Sequence, residues 1–244
     1  MLSMMDDDVL YKAIFKRRSV RKFDMSKLDE GTMASIVSRI SKLERMMPEI
    51  RTEVRLLQDE PVKGMFKVDA PHYLAFYTER KGGHLPNSGF MLQQMDLFFN
   101  ANGIGSCWQG ELRPAERIAT ELEPVVMMAF GRPAEMLDRS VDEFKRVPMK
   151  DITDIEGMDD LLETARLAPS AGNRQMWYFT RNDGAIDVHY KRSLMFDHYG
   201  QMDSGIALFH LLLSARHQGK KAVVAVHKGV KAPKGHAYSA SLDL

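Results

Sequence analysis

"SGIALFHLLLSARHQG" at residues 204–219 lies without a gap on "SGFMLQQMDLFFNANG" at 88–103, and whether the two are copies of one helix decides the fold. Both stretches open on Ser-Gly and close on Gly, Leu92 and Leu97 match Leu208 and Leu213, and three further pairs, such as Met95 with Leu211, are apolar in both. Two amphipathic helices can share that much by chance, so the surroundings carry the decision.

The surroundings repeat as well. Before the first copy, a helix begins at Leu28 with Met33, Ile36, Val37 and Ile40 spaced three, one and three apart, and "MMPE" ends it near residue 48. "HYLAFYT" at 72–78 reads as a strand, "GIGSCWQGELRP" as a glycine-punctuated loop and "VVMMAFGRP" as a buried strand ending in a turn. Before the second copy, Met158, Leu161, Leu162 and Ala165 keep the same spacing; "IDVHY" at 186–190 and "AVVAV" at 222–226 are strand-like. The long helices are expected at about 88–102 and 204–218, and a short helix at 7–18 leads the chain. The halves are 1–154 and 155–244, and the tail after Lys228 has no strong pattern.

Composition excludes several classes of function. Thirty-four Lys and Arg against 33 Asp and Glu leave a net charge of +1, so no global field draws the chain onto nucleic acid or an anionic membrane. Any anion site is local. At 244 residues and 44% hydrophobic content the chain can bury a sizeable core. A single cysteine, Cys107, excludes an intrachain disulfide and a multi-thiolate metal site, which suits the cytoplasm. The start, "MLSMMDDDVL", carries aspartates where a signal peptide is basic, and no apolar run is long enough for a membrane span. The eight histidines are scattered, with none at ligand spacing. Most of the 18 methionines are read as core filler.

Two stretches carry chemistry. "KRRSVRKF" at 16–23 sets Arg17, Arg18, Ser19 and Arg21 just after a helix, and arginine forks with a hydroxyl suit a phosphate monoester; alone, the same residues also suit a solvated basic turn. "LAPSAGNRQMWYF" at 167–179 stops a helix with Pro169 and then offers Ser170, Gly172, Asn173 and Gln175, partners for the edge of a heterocycle. "GIGSCWQG" lacks both the phosphate-loop and the dinucleotide spacing, but its glycines let backbone approach a flat ring. Cys107 has no activating neighbour in sequence and is read as packing; Asp197-His198-Tyr199 is read as a polar loop before an acid/base cluster.

Together these stretches resemble the FMN-dependent nitroreductase family. "AIFKRRSVRKF" is similar to its opening helix and phosphate motif, "ARLAPSAGNRQMWYF" to its A-P-S-x-x-N-x-Q-P-W flavin motif, "GIGSCWQG" to its third flavin loop, and "VVMMAFGRP" with "FKRVP" to its closing strand and basic segment. The resemblance implies an α+β fold, a central mostly antiparallel sheet flanked by helices, with NAD(P)H as cosubstrate and a nitroaromatic or quinone as acceptor. Ordinary members carry both main motifs in one N-terminal stretch, dimerise, and build each flavin site from two subunits. Here the motifs lie in different halves, which resembles the fused, TM-nitroreductase-like branch: two tandem half-repeats packed as a pseudo-dimer, with one FMN. That implies a monomer or weak homodimer, with no nucleic-acid or membrane partner.

Carried over by position, Arg17, Arg18, Ser19 and Arg21 hold the phosphate and pyrimidine side of FMN, and Arg146 is a further phosphate ligand. Pro169, Ser170, Ala171 and Asn173 line the other side of the ring, and the backbone of Trp108, Gln109 and Gly110 lies near flavin N5. Lys63 or Lys67 is a candidate for flavin O2, Gln175 matches in type, and Met176 replaces the family's proline. Other readings of the same scaffold are a dehalogenase, an enzyme of flavin breakdown, or a flavin-binding regulator without catalysis.

Overall fold

The computed structural model describes residues 4–244; residues 1–3, which open "MLSMMDDDVL", lie outside the described residues. Its elements in order are α1 (Met4–Ile14), α2 (Glu30–Ile40), β1 (Thr52–Leu57), β2 (Val62–Gly64), β3 (His72–Thr78), α3 (His84–Ala101), β4 (Gly105–Gln109), β5 (Leu112–Pro114), β6 (Glu123–Gly131), α4 (Asp159–Arg166), β7 (Trp177–Asn182), β8 (Ala185–Lys191), α5 (Asp197–His217), β9 (Val223–Ala225) and β10 (His236–Asp243). The architecture is α+β, as expected, and its antiparallel sheet is divided in two. One sheet runs β1-β3-β6-β4, the other β7-β8-β10-β9, and β2 pairs with β5. Every neighbouring pair in both four-stranded sheets is antiparallel.

The two sheets share one connectivity. In each, a hydrogen-bonded strand pair leads into a long helix, then an edge strand, then the strand that returns to the sheet interior. The long helices α3 and α5 are buried on nearly every side, because they lie between the sheets and against each other. This explains why neither shows a single apolar stripe. Phe90 of α3 meets Phe209 of α5 edge to face with centroids 5.2 Å apart. His210 joins the helices and α4: its Nδ1 donates to the Thr164 carbonyl at 2.7 Å, and its Nε2 accepts from Gln93 at 2.9 Å. Burial pushes this imidazole down to about 3, so it is a neutral core histidine.

Several boundaries differ from the sequence expectation. The leading helix ends at Ile14 rather than 18, so the arginine cluster lies on extended backbone. Helix α2 stops at Ile40, and β1 follows where no strand was expected. The "GSCWQ" part of the glycine loop is β4, and the patternless tail contains β10, which lies between β8 and β9. Both long helices start earlier, at His84 and Asp197.

Candidate functional site

The arginine segment is held on both sides. After α1, Arg17 N–H still bonds the Ala13 carbonyl at 2.9 Å; Ser19 then bridges Ser106 of β4 in parallel, and Val20 N–H donates to the Ser106 carbonyl at 2.9 Å. So close an approach needs glycine at 105, since a Cβ there would lie 2.9 Å from the Val20 side chain. On the other flank, Arg17 bridges Asp138 and Phe23 bridges Pro133, both antiparallel. Arg17 itself is 1% exposed, with Nε 2.9 Å from Asp96 Oδ2 and an Nη donating to Ser19 Oγ at 3.2 Å. Asp96 is further bonded by Ser106 Oγ at 2.7 Å and Gln93 Nε2 at 3.3 Å.

From this anchored segment a cavity of about 640 Å³ opens toward the 169–174 loop and the start of α5. Eight of the twelve residues expected from sequence line it: Ser19 and Arg21, then Trp108, Gln109 and Gly110, then Pro169, Ser170 and Ala171. Three motifs from distant parts of the chain therefore share one space, of a size usual for small-molecule sites. Arg17, Arg18, Arg146 and Asn173 are not among the lining residues.

The arginines outside the lining make a common field. Arg146 is pushed down to about 9 by burial and then by the charges of Arg139, Arg17 and Arg166. Arg139 is pushed down to about 10 by burial and then by Arg17 and Arg18. Like charges that depress one another's pKa create a place where an anion is stabilised. Arg18 and Arg21 keep guanidinium groups with no hydrogen bond or ion pair among the described residues, and the buried Nε of Arg146 has no hydrogen-bond partner there. Sequence reasoning missed Arg139. Its signal is an Arg-Ser pair at 139–140 like that at 18–19, and its Nε donates to the Arg17 carbonyl at 3.1 Å while its guanidinium stacks 3.7 Å from the Phe144 ring.

The second-half loop is tied down by the segment that enters from the first half. Arg146 donates to Asn173 Oδ1 at 2.6 Å and to the Leu167 carbonyl at 3.0 Å, and Asn173 Nδ2 donates to the Lys145 carbonyl at 2.7 Å. Asn173 thus faces the incoming segment. Gln175 Oε1 accepts from Val147 N–H at 2.9 Å, and Ser170 Oγ accepts from Gln175 N–H at 2.9 Å. These bonds hold Asn173 at φ 56° and Gln175 at φ 51°, left-handed conformations that the loop would not keep unaided. The residue at the family's proline position, Met176, is buried and its backbone carbonyl accepts from Lys191 N–H at 2.7 Å.

The remaining walls were less visible in the sequence. Met65, Phe66, Met195 and Phe196 border the opening, with Phe66 87% and Met195 81% exposed. Tyr199 lines the cavity and donates to Glu111, so the Asp197-His198-Tyr199 run opens α5 rather than forming a loop. Asp203, fully buried, also lines it. Trp108 contributes a buried indole Nε1 without a partner among the described residues. Cys107 is buried and burial pushes its thiol up, as suits a packing residue. Neither Lys63, on β2, nor Lys67, paired with Asp69 at 2.8 Å, lines the cavity.

The donor set fits FMN. Unpaired guanidinium groups suit a phosphate, strand-end backbone suits a ring edge, and an apolar opening suits a flat face. Among the described residues, no group of three or more His, Cys, Asp or Glu could hold a metal ion, and no helix is long and apolar enough to cross a membrane.

The family model described as "Putative TM nitroreductase" matches residues 9–215. Among solved structures, a "putative nitroreductase" from Thermotoga maritima MSB8 is 22% identical, covering 96% of this chain and 92% of its own, with a TM-score of 0.67. A nitroreductase family protein from Clostridium difficile 630 is 17% identical over 61% of this chain and 97% of its own, with a TM-score of 0.49. An FMN-dependent nitroreductase from Clostridium difficile R20291 is 16% identical over 58% and 99%, with a TM-score of 0.46. None of the curated proteins compared matches. With the fold shared along nearly its whole length and the family model spanning most of it, the chain belongs to the TM nitroreductase family.

Proposed function

We propose that this chain is an FMN-dependent oxidoreductase that moves a hydride from NAD(P)H, by way of flavin N5, to a small acceptor of nitroaromatic or quinone type. The observation that carries the proposal is the single cavity bordered by residues of the arginine segment, the 107–110 strand end and the 169–172 loop. Bound there, FMN supplies the two-electron chemistry. The chain supplies position and field. Arg17, Arg18, Arg139 and Arg146 stabilise the phosphate, Trp108 to Gly110 meet one ring edge, and Pro169 to Ala171 meet the other. Phe66, Met195 and Tyr199 shield the reacting face from water, and donor and acceptor enter through the same opening in turn, which gives ping-pong kinetics.

The halves 1–154 and 155–244 are, in this proposal, fused copies of one unit, and the working molecule is a single chain acting as its own dimer. The shared connectivity of the two sheets supports this. The first half has "ISKLERMMPE" where the second has its flavin loop, and the second has no Arg-Arg-Ser triplet, so one site remains. Reconstituted protein is expected to bind one FMN per chain and to bleach under NAD(P)H without oxygen. Two FMN per chain would refute the lost second site, and none would refute the flavin function. A panel of nitroaromatic, quinone and halogenated acceptors then separates this activity from a dehalogenase on the same scaffold.

The phosphate field gives a sharper test. Arg139→Ala and Arg146→Ala are each expected to weaken FMN about ten- to a hundredfold, the cost of one charged hydrogen bond at ~1.5–3 kcal/mol. Riboflavin, which lacks the phosphate, should lose little. Equal losses for both ligands would mean the arginines act on the ring or on folding instead.

A further inference from the structure

Asp203 lies one residue before the Ser-Gly pair that opens the second repeat copy, and Asn87 lies at the same place before the first. Each accepts a backbone N–H from the loop that follows a helix packed in its half, α2 in the first and α4 in the second. Met47 N–H reaches Asn87 Oδ1 at 3.0 Å, and Ala171 N–H reaches Asp203 Oδ1 at 3.1 Å and Oδ2 at 3.2 Å. The fold therefore asks for a carbonyl-type acceptor at this place, and in the first half a neutral amide satisfies it. A carboxyl adds one property that an amide lacks, an exchangeable proton.

Of the two, only Asp203 borders the cavity. It is 3% exposed, and the helix face opposite, at Pro86 and Gly89 of α3, is uncharged. The loop beside it presents Ser170 and Ala171. The titratable or charged groups elsewhere in the cavity wall are Arg21, Cys107, Glu111, Arg174 and Tyr199, and none lies close enough to shift the carboxyl. Burial raises it to about 8 against the opposing Ala171 N–H, so it carries its proton at neutral pH.

We propose that Asp203 is the proton donor to the molecule reduced in this cavity, an inference that rests on the oxidoreductase function above. With a quinone as acceptor, the dihydronicotinamide provides the hydride through the flavin, and the quinone gains two electrons and one proton. The Asp203 O–H bond then breaks, its proton goes to the anionic quinone oxygen, and hydroquinone leaves. The oxidised nicotinamide has left before the quinone enters, and the resulting carboxylate regains its proton from solvent at the cavity mouth. The turnover consumes one dihydronicotinamide, one quinone and one solvent proton, and atoms and charge balance.

Asp203→Asn is the natural test, because Asn87 shows that the amide supports this local structure. In stopped-flow experiments on the FMN-loaded protein, the variant is expected to slow reoxidation by a water-soluble quinone about a hundredfold or more, and far more than it slows reduction by NAD(P)H. Native reoxidation should fall as pH rises through about 8, and the variant should lose that dependence. Equal reoxidation rates with the same pH profile would overturn the proposal. Infrared difference spectra of the flavin-free proteins provide an independent readout: a protonated carboxyl band at pH 7 in native protein, absent from the variant. An ionised Asp203 at pH 7 would also overturn it. A chain that shows the band but takes no flavin fails at the function proposed above, and the donor role fails with it; a chain that takes flavin with an unchanged acceptor step fails here alone.

Discussion

Arg17→Ala should destabilise the protein by about 3–5 kcal/mol and abolish FMN binding. The guanidinium and its partner Asp96 are each 1% exposed, and the two lie 2.9 Å apart. Truncation would leave the Asp96 carboxylate in the core with only Ser106 and Gln93 as donors. It also releases Ser19, which the same guanidinium holds at 3.2 Å and which borders the cavity. Against a typical total of about 5–15 kcal/mol the loss is large. Denaturant midpoints at constant m-value would measure it. The paired change Arg17→Met with Asp96→Leu should recover much of the stability, because two apolar side chains need no counter-charge, but should not recover the cofactor. A loss under about 1 kcal/mol for Arg17→Ala would mean that the pair behaves as a surface contact and does not anchor the segment.

The parts of the fold that were legible in the sequence are those where local pattern and tertiary role coincide. Helices α3 and α5 are buried on nearly every side between sheets, so the positions they share, from the opening Ser-Gly to the closing Gly, could be read directly. The parts that were not legible are those where the tertiary role reverses the local cue. Gly103 and Gly110 flank β4 and Gly105 opens it, which suggests a loop, yet Gly105 is required by the approach of Val20 to a strand. In β10, "HAYSASLD" shows no apolar alternation, because Ser239, Ala240 and Ser241 among its buried positions are small and Ser241 satisfies Asp187 at 2.5 Å inside the sheet. The site divides in the same way. Arg17, Ser170 and Ala171 come from contiguous motifs, whereas Arg139 reaches the arginine field only through the antiparallel bridge of Asp138 to Arg17, a pairing 121 residues apart that no local spacing reports. Asp203 stands just outside the aligned repeat, where extending the match by one residue sets it against Asn87.

Gly89→Ala and Gly205→Ala should each destabilise the protein by about 1–3 kcal/mol or more, and by similar amounts. A Cβ at Gly89 would fall 2.0 Å from the Met202 carbonyl oxygen, and one at Gly205 would fall 1.9 Å from that of Pro86. The obstruction in both cases is backbone, so no rotamer change relieves it and the helices must separate. Extending the repeat alignment makes Met202 the counterpart of Pro86, so the two contacts are one contact seen twice. Reciprocal contacts of this kind are what an isologous two-fold interface would show. Under the proposed pseudo-dimer, separating the helices at either glycine opens the same crossing. The double variant should therefore lose less than the sum of the single losses. Gly205→Ala should also weaken FMN, since Tyr199 and Asp203 lie on the displaced end of α5 and both border the cavity. Urea titration of the three variants measures the first effect and flavin titration the second. A severe loss at one glycine with none at the other would show that the crossing is not shared between equivalent positions, and the duplication would lose its strongest geometric support.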